Sequence, residues 1–252
     1  MKPATAWPRM LGVSAAIAAW EIIALCEVVN PILLPPAHSI GIRLLELLQR
    51  ADFWLATATT LSTWLLGLLL GSIFGVPIGF LLGFNQTAWR MVEPIVEFVR
   101  ALPSVVLVPI VAMFFGAGMG SRILATSCVV GAAMIFTAAD AASSVRRTLQ
   151  RLAAAWCLSA SDSTWRLYLP ASMPHLLFGL RTALPLGLII TVAAEMLVAS
   201  GTSTGRMLLD AAAVFDTKTF YALVAIIGSI GYASSALLLS ISTAVVPWRS
   251  ES

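Results

Sequence analysis

The chain has 252 residues, of which 59% are hydrophobic and only 11% are charged, and its mean hydropathy is +0.93. A water-soluble core does not need so much apolar surface, so the composition argues against a soluble protein and indicates a bilayer as the solvent. The net charge of +3 comes from dispersed basic residues without an aromatic platform, which argues against nucleic-acid binding.

Apolar segments predict an all-α membrane protein with about six spans, in a single domain over residues 1–252. A span needs about 20 mostly apolar residues to cross the hydrocarbon. The segments that meet this requirement are Met10–Val29, Phe53–Trp89, Ala101–Ser121, Ile123–Ala139, Leu176–Leu197 and Thr219–Trp248. The stretch 101–139 can also be interpreted as one span plus a re-entrant piece. We expect the core of the domain at about 57–248, the first span at 10–29 and a cytoplasmic loop at 141–175.

The basic residues predict that both termini of this multi-pass protein lie in the cytoplasm. With an even number of spans, eight basic residues fall inside and five outside, in agreement with the positive-inside rule. The inner residues are Lys2, Arg9, Arg90, Arg146, Arg147, Arg151, Arg166 and Arg249. The outer residues are Arg43, Arg50, Arg122, Arg206 and Lys218. The segment Arg146–Arg166 carries most of this bias.

Glycines recur every four residues in the second predicted span. They are Gly67, Gly71, Gly75, Gly79 and Gly83. Small residues at this spacing let another helix backbone approach closely, and this packing replaces the hydrophobic drive that lipid does not provide. We interpret the row as a site of tight helix packing within the chain, with a subunit interface as the alternative.

Two prolines mark the start of the third predicted span. Pro103 and Pro109 are six residues apart, and the segment ends in the glycine-containing turn Phe115–Gly118. Each proline removes a helical hydrogen bond, and the carbonyl groups so released are tolerated only where protein or water covers them. Pro103 and Pro109 are therefore candidates for the translocation path or its gate.

A carboxylate, Glu195, lies late in the fifth predicted span, near its outer end. A charged group inside a membrane is energetically expensive and is a functional candidate for that reason. A gating role and a structural role, in which Glu195 bonds to a neighbouring loop, are both open. A carboxylate would not itself attract an anion, so we do not predict direct contact with an anionic solute.

A polar segment with arginine and proline leads directly into the helix of Glu195. The segment contains four short motifs in this order: Ala153–Ala155, Ser159–Ser161, Leu169–Pro170 and Ala194–Glu195. In this order the segment resembles the cytoplasmic EAA loop of bacterial ABC-importer permeases, in the branch that handles nitrate, sulfonates and taurine. The first two groups stand where that family usually has Glu-Ala-Ala and Gly-Ala-Ser.

The segment differs from the family's sequence pattern at two positions. In the alignment we prefer, Ala153 replaces the glutamate and Ser159 replaces the glycine, with a gap before Pro170. An alignment without a gap would put Cys157 at the glycine and Arg151 at the glutamate.

The resemblance extends from about Pro31 to Trp248. Further matches are Leu33–Pro35, Arg100–Pro103, Pro109, Phe115–Gly118, Phe215–Thr217 and Pro247–Trp248. The resemblance implies the MetI-like permease fold in a bacterial inner membrane. It also implies a second permease copy, as a homodimer, two cytoplasmic ATP-binding subunits and an external solute-binding protein.

The resemblance further implies that Ser159–Arg166 is a coupling helix, which lies in a groove of the ATP-binding subunit. The coupling residues would be Ala153, Ala154, Ala155, Ser159, Ala160, Ser161, Asp162, Trp165 and Arg166. Trp165 is the expected apolar anchor, since buried aromatic side chains commonly dominate such contacts. Asp162 and Arg166 are four residues apart and can pair with each other or with the partner.

The sequence contains no phosphate-binding loop for ATP. Such a loop needs a lysine after a glycine, whereas Lys2 follows Met1 and Lys218 follows Thr217. We therefore expect ATP to be used by a separate subunit, and this chain to be a transport subunit without enzymatic activity or a bound cofactor. The three cysteines and two histidines are isolated, so no metal site is predicted.

The family analogy indicates nitrate, a sulfonate or taurine as the solute, with a thiamine precursor or another small nutrient as the alternative. The rival from another class is a self-sufficient channel or secondary transporter. That class would favour paired intramembrane ionisable residues or an inverted repeat, and neither is clear in the sequence.

Overall fold

The computed structural model describes residues 7–198 and 201–246, and the regular elements in this part of the chain are helices. They are α1 (Trp7–Leu25), α2 (Ala37–Leu48), α3 (Ala51–Phe84), α4 (Gln86–Ala101), α5 (Ser104–Phe115), α6 (Met119–Ala155), α7 (Ala160–Asp162), a π-helical segment (Ser163–Tyr168), α8 (Leu169–Val198), α9 (Thr204–Ala213) and α10 (Thr217–Val245). The predicted all-α architecture is confirmed. Lys2, Pro247, Trp248 and Arg249, which entered the sequence analysis, lie outside the described residues.

Four helical stretches in the described residues are long and apolar enough to cross a membrane. They are α3, α6, most of α10 and the continuous stretch Ala160–Val198. Helices α4 and α5 meet at an angle of 97° and can form a fifth, broken span. The apolar part of α1, Met10–Leu25, is shorter than these. By length and composition the described residues therefore give four or five spans, and the predicted number of six is not reached.

The region 101–139 does not contain the two complete spans predicted there. Helix α5 has only 12 residues, whereas α6 runs unbroken for 37 residues. Leu102 is extended, with ψ of 135°, because a residue before proline avoids the helical conformation. Gly116 turns the chain with φ of 79°, which is a conformation that favours glycine. The bend of 97° between α4 and α5 fits a broken span as well as the re-entrant piece of the alternative interpretation.

The glycine row of α3 lies against α6. A Cβ atom added at Gly71 would lie 2.8 Å from the carbonyl oxygen of Ser127, and one at Gly75 would lie 2.8 Å from that of Gly131. The remaining glycines of the row are Gly67, Gly79 and Gly83, which face Thr126, Ile135 and Ala139. Since all five glycines are buried in this contact, the predicted tight packing within the chain is confirmed. The alternative of a subunit interface at this face is wrong.

Helix α8 packs against both α3 and α6 and completes the centre of the bundle. The indole Nε1 of Trp64 in α3 donates a hydrogen bond of 3.0 Å to the carbonyl oxygen of Leu184 in α8. The hydroxyl groups of Thr126 in α6 and Thr191 in α8 lie 3.0 Å apart. These four residues are buried, so polar contacts tie the three helices together where lipid gives little drive for association.

Helices α2 and α10 meet at the end of the bundle away from the connection between α6 and α8. Asp216 caps α10 by accepting a hydrogen bond of 3.1 Å from the Thr219 N–H, and its carboxylate lies 3.6 Å from Arg43 of α2. Burial works to raise the pKa of the Asp216 carboxyl, but hydrogen bonds from Thr219 and the charge of Arg43 hold that pKa below its ordinary value. This contact fixes α2 on the N-terminal end of α10.

Replacing Gly75 by alanine should lower the free energy of unfolding by about 1–3 kcal/mol, because the added methyl group overlaps the backbone of α6. The matched control is Gly228→Ala in α10, where nothing lies within 4 Å of the added Cβ atom. Thermal unfolding of the two purified variants in the same detergent measures the difference. Equal midpoints for Gly75→Ala and Gly228→Ala would contradict the packing role of the row.

Candidate functional site

The connection between α6 and α8, predicted over 141–175 as a loop that contains a coupling helix, is mostly helical. Only Trp156–Ser159 interrupt the helices in this range. The helical form is stable here because Val145 and Ala153 at the end of α6 pack with Tyr168 in one buried cluster. Two packed helices with a short turn therefore present the predicted coupling residues.

The helix after this turn begins with a capped first turn. The Ser159 hydroxyl accepts a hydrogen bond of 3.1 Å from the Asp162 N–H and donates one of 2.7 Å to the Asp162 carboxylate. The same carboxylate lies 3.2 Å from Nε of Arg166, so the two side chains form the pair that their spacing predicted. Ser159 thus acts as a helix N-cap, a position at which serine is favoured.

Most of the predicted coupling residues lie on one exposed surface. Trp165 is 68% exposed and the side chain of Arg166 is 77% exposed. The other exposed members of the predicted set are Ala154, Ala155, Ser159, Ala160 and Ser161. Ala153 is buried in the cluster of Tyr168 and does not belong to this surface. We call the exposed face of Ser159–Arg166 the coupling surface.

The backbone of the turn distinguishes between the two alignments with the family. Cys157 has φ of 50°, in the left-handed region where a residue without a Cβ atom is favoured. Ser159 has φ of −61°, which any residue adopts readily. The position that suits the family's glycine is therefore Cys157, in agreement with the alignment without a gap, and Ser159 is the helix cap instead.

At the far end of α8, Glu195 is fully buried and holds the N-terminal end of α9. Its Oε2 atom accepts hydrogen bonds from the Thr60 hydroxyl over 2.8 Å and from the Gly205 N–H over 3.0 Å. The Thr60 hydroxyl oxygen also accepts a hydrogen bond of 3.0 Å from the Thr204 N–H. The carboxylate satisfies a free N–H group at a helix start, where the partial charge is positive. Glu195 therefore links α3, α8 and α9, which is the structural role that the sequence left open.

Arg122, expected among the outer basic residues, is buried and is the counter-ion of Glu195. It lies in the first turn of α6, is only 4% exposed, and has its Nη1 atom 3.7 Å from Oε1 of Glu195. Neither of these two atoms forms a hydrogen bond with a described residue, so the interaction between them is electrostatic only. The high cost of an arginine between apolar runs was a signal that could have identified Arg122. Thr60 and Gly205 carried no such signal.

The predicted path residues belong to the region in which α4 and α5 meet at an angle. Pro103 is at the bend between α4 and α5, Pro109 lies within α5, and both are exposed. Helix α5 contacts the bundle through Val108, which packs with Ala194, the neighbour of Glu195. The structure therefore brings α5 next to the Glu195 cluster but leaves the prolines themselves on the surface.

The histidines and cysteines do not come together in the described residues. Within 7–198 and 201–246, no group of three or more His, Cys, Asp or Glu side chains is arranged to hold a metal ion. His38, at the start of α2, instead has its Nδ1 atom 2.6 Å from the carboxylate of Glu21 in α1.

The variant Glu195→Gln should keep an oxygen acceptor for Thr60 and Gly205 but leave the charge of Arg122 buried without a counter-charge. We expect it to lower the free energy of unfolding by about 3–5 kcal/mol, as is typical when one partner of a buried ion pair is removed. The double variant Glu195→Gln/Arg122→Gln, in which both charges are absent, should regain a large part of this loss.

Chemical denaturation in detergent measures these variants, with Asp52→Asn as the control. Asp52 pairs with Arg50 at the surface, so its replacement should change stability little. Losses that simply add in the double variant would show that Arg122 and Glu195 are not coupled.

Comparison with known proteins gives the same architecture. Residues 75–250 match the family described as binding-protein-dependent transport system inner membrane component. The chain is 28% identical over 237 residues to the taurine transport system permease protein TauC of Escherichia coli (strain K12), with 92% of this chain and 86% of that protein covered. It is 27% identical to the formylaminopyrimidine transport permease protein ThiX of Halalkalibacterium halodurans, with 91% of each chain covered. It is 25% identical to SsuC of Bacillus subtilis, which is named for the transport of aliphatic sulfonates, with 96% and 88% covered.

A solved structure shows the same fold. A chain of the inward-facing MetNI methionine ABC transporter matches with a TM-score of 0.69 at 16% identity, with 77% of this chain and 96% of that chain covered. The predicted MetI-like permease fold is therefore confirmed. Because the family match spans most of the sequence, this chain belongs to the inner membrane components of binding-protein-dependent transport systems.

Proposed function

We propose that this chain forms the translocation path of an ATP-driven importer for a small anion such as a sulfonate, taurine or nitrate. The observation that carries the proposal is the coupling surface, where Trp165 is exposed on a capped helical turn at the ends of the two longest helical stretches. An exposed aromatic side chain in a polar setting is the usual anchor of a docking contact. Its partner on this proposal is a cytoplasmic ATP-binding subunit, and ATP is bound and hydrolysed there and not by this chain.

One helical stretch connects this docking contact with the opposite side of the membrane. The stretch Ala160–Val198 is continuous, and Trp165 and Glu195 lie roughly 45 Å apart along it, at about 1.5 Å per residue. It begins with the π-helical segment, and such wide turns are frequent at functional sites. A displacement of the coupling surface would therefore be carried to Glu195 and to α9.

We assign a gating role to this far end. When α8 moves, the contacts of Glu195 with Arg122 and with the N-terminal end of α9 must move with it or break. Pro103 lies at the bend between α4 and α5, and Pro109 lies within α5, which packs against α8. We place the translocation path along this part of α8. Breaking a buried charge contact is costly, so the gate stays closed until the ATP-binding subunits drive the movement.

We place the coupling surface and both chain termini in the cytoplasm. Arg146, Arg147 and Arg151 lie at the same end of α6 as this surface. Since Arg122 is buried, the outer basic residues fall from five to four against eight inside, which strengthens the charge bias that supports this orientation. A second copy of the chain, as a homodimer, completes the path, and an external binding protein delivers the solute to the end with α2 and α9.

The solute class rests on the relatives. TauC and SsuC are named for taurine and aliphatic sulfonates, which are anions or zwitterions with a sulfonate group. ThiX is named for formylaminopyrimidine and covers this chain nearly as well, so a small pyrimidine is the alternative solute.

Reconstitution tests this function. Vesicles that contain the chain with its cognate ATP-binding subunit and binding protein should accumulate labelled taurine or an alkanesulfonate when ATP is supplied on the side of the ATP-binding subunit. Nitrate and formylaminopyrimidine serve as the competing solutes. Vesicles with the chain alone should show neither ATP hydrolysis nor uphill uptake. Concentrative uptake by the chain alone would contradict the proposal and indicate a secondary transporter.

Replacing Trp165 by alanine should weaken binding of the ATP-binding subunit by on the order of 2 kcal/mol, because an aromatic anchor is lost. This corresponds to roughly thirtyfold weaker binding. The matched control is Trp54→Ala at the other end of the bundle, where the side chain is 54% exposed. Co-purification of the ATP-binding subunit and ATP-dependent uptake measure both variants. Full binding and normal uptake by Trp165→Ala would place the docking contact elsewhere.

A further inference from the structure

A polar cavity lies near the coupling surface but is not part of it. The cavity has a volume of about 770 Å³ and opens between the end of α3, the start of α4 and the second half of α6. Its charged lining consists of Arg90, Glu93, Asp140, Arg146 and Arg147. None of these side chains belongs to the coupling surface, to the Glu195 cluster or to the proposed path.

The lining offers unpaired charges of both signs. Arg146 is engaged, since its Nη1 atom donates a hydrogen bond to the carbonyl oxygen of Phe84. Arg90, Glu93, Asp140 and Arg147 form no ion pair with any residue in the ranges 7–198 and 201–246. Opposite charges that share a cavity without pairing are available to a ligand that carries both an anionic and a cationic group.

The cavity lies at the end of the charge-free stretch Phe53–Trp89. Trp89, which lines it, is the last residue of the charge-free stretch that starts at Phe53, and tryptophan is enriched at the membrane–water interface. The neighbouring helix α4 exposes Met91, Ile95 and Phe98, each to more than 60%, and these apolar side chains need acyl chains around them. A ligand at this depth is reached from the lipid headgroups.

We infer that the cavity binds the headgroup of a phosphatidylethanolamine. The phosphodiester fits Arg90 and Arg147, because guanidinium groups pair with phosphate oxygens through parallel hydrogen bonds. The ammonium group, with three hydrogen-bond donors, fits the carboxylates of Glu93 and Asp140. Basic pockets between helices on the cytoplasmic side of a membrane are a known form of lipid recognition, and the two acids select a headgroup that also carries an amine.

Other headgroups lack one part of this chemistry. A phosphatidylglycerol has the phosphate but no ammonium, so the two carboxylates would face a net negative group. A phosphatidylcholine has a cation whose three methyl groups leave no hydrogen-bond donor. A soluble aminosulfonate such as taurine carries the same two charges as the ethanolamine headgroup, and the experiment must distinguish these two sources.

The experiment uses the delipidated full chain in mixed micelles with equal amounts of the ethanolamine, choline and glycerol lipids, all with the same acyl chains. Native mass spectrometry counts the bound molecules of each lipid. The ethanolamine lipid should be retained about threefold to fivefold over the others, which is the size of effect that exposed ion pairs supply.

Two variants and one control assign the contacts. Arg147→Gln should lower the retention of all three lipids, since the shared phosphate loses a partner. Asp140→Asn should leave the choline lipid unchanged and remove the preference for the ethanolamine lipid. Arg206→Gln, in an exposed pair with Asp210 of α9, is the control and should behave like the unaltered chain. Both cavity side chains are exposed, so the variants should fold.

Soluble competitors show whether the cavity binds a lipid headgroup or a soluble aminosulfonate. Glycerophosphoethanolamine should displace the ethanolamine lipid at high concentration, whereas taurine should not. Displacement by taurine at the same or lower concentration would assign the cavity to a solute and overturn the lipid assignment. Equal retention of the three lipids, or an unchanged preference in Asp140→Asn, would overturn it as well. None of these readouts depends on uptake, so the proposed transport function can fail or hold separately.

Discussion

The close approach of α3 and α6 is the constraint on which the rest of the bundle depends. Lipid tails solvate apolar side chains about as well as another helix does, so hydrophobicity alone does not bring these helices together. The glycines of α3 let the two backbones meet, as Gly71 does with the carbonyl oxygen of Ser127. Helix α8 then forms hydrogen bonds with Trp64 of α3 and Thr126 of α6, and α5 packs against α6 and α8. A side chain in the glycine row would therefore also disturb the packing of α8 and α5 on these two helices.

The second determining contact is the buried charge pair at the C-terminal end of α8. Arg122 and Glu195 bring opposite charges into a region where either charge alone would be costly. Because Glu195 also accepts a hydrogen bond from the Gly205 N–H, the same pair fixes the start of α9. The coupling surface lies at the other end of the same helical stretch. One continuous helical stretch thus joins the coupling surface and this buried pair.

The candidate site could be predicted only in part. The pair of Asp162 and Arg166 followed from a spacing of four residues on one helix, which is a local property. The alignment at the turn did not follow in the same way, because the sequence does not show which residue has the left-handed backbone. The structure places that conformation at Cys157 and makes Ser159 a helix cap. Ala153, expected at the coupling contact, is buried because α6 continues into the range of the predicted loop, where Ala153 packs with Tyr168.

The sequence by itself determined the membrane environment, the all-helical class, the glycine row and the permease family. Each of these follows from composition or from spacing along one chain, and lipid makes such local signals strong because every span must be apolar and helical. Only the tertiary structure decided that the region 101–139 bends at Pro103, so that the span count is four or five. Only the tertiary structure also decided that Arg122 lies against Glu195. Contacts between residues far apart in the chain depend on how helices rotate and pack, and hydropathy carries no information on that rotation.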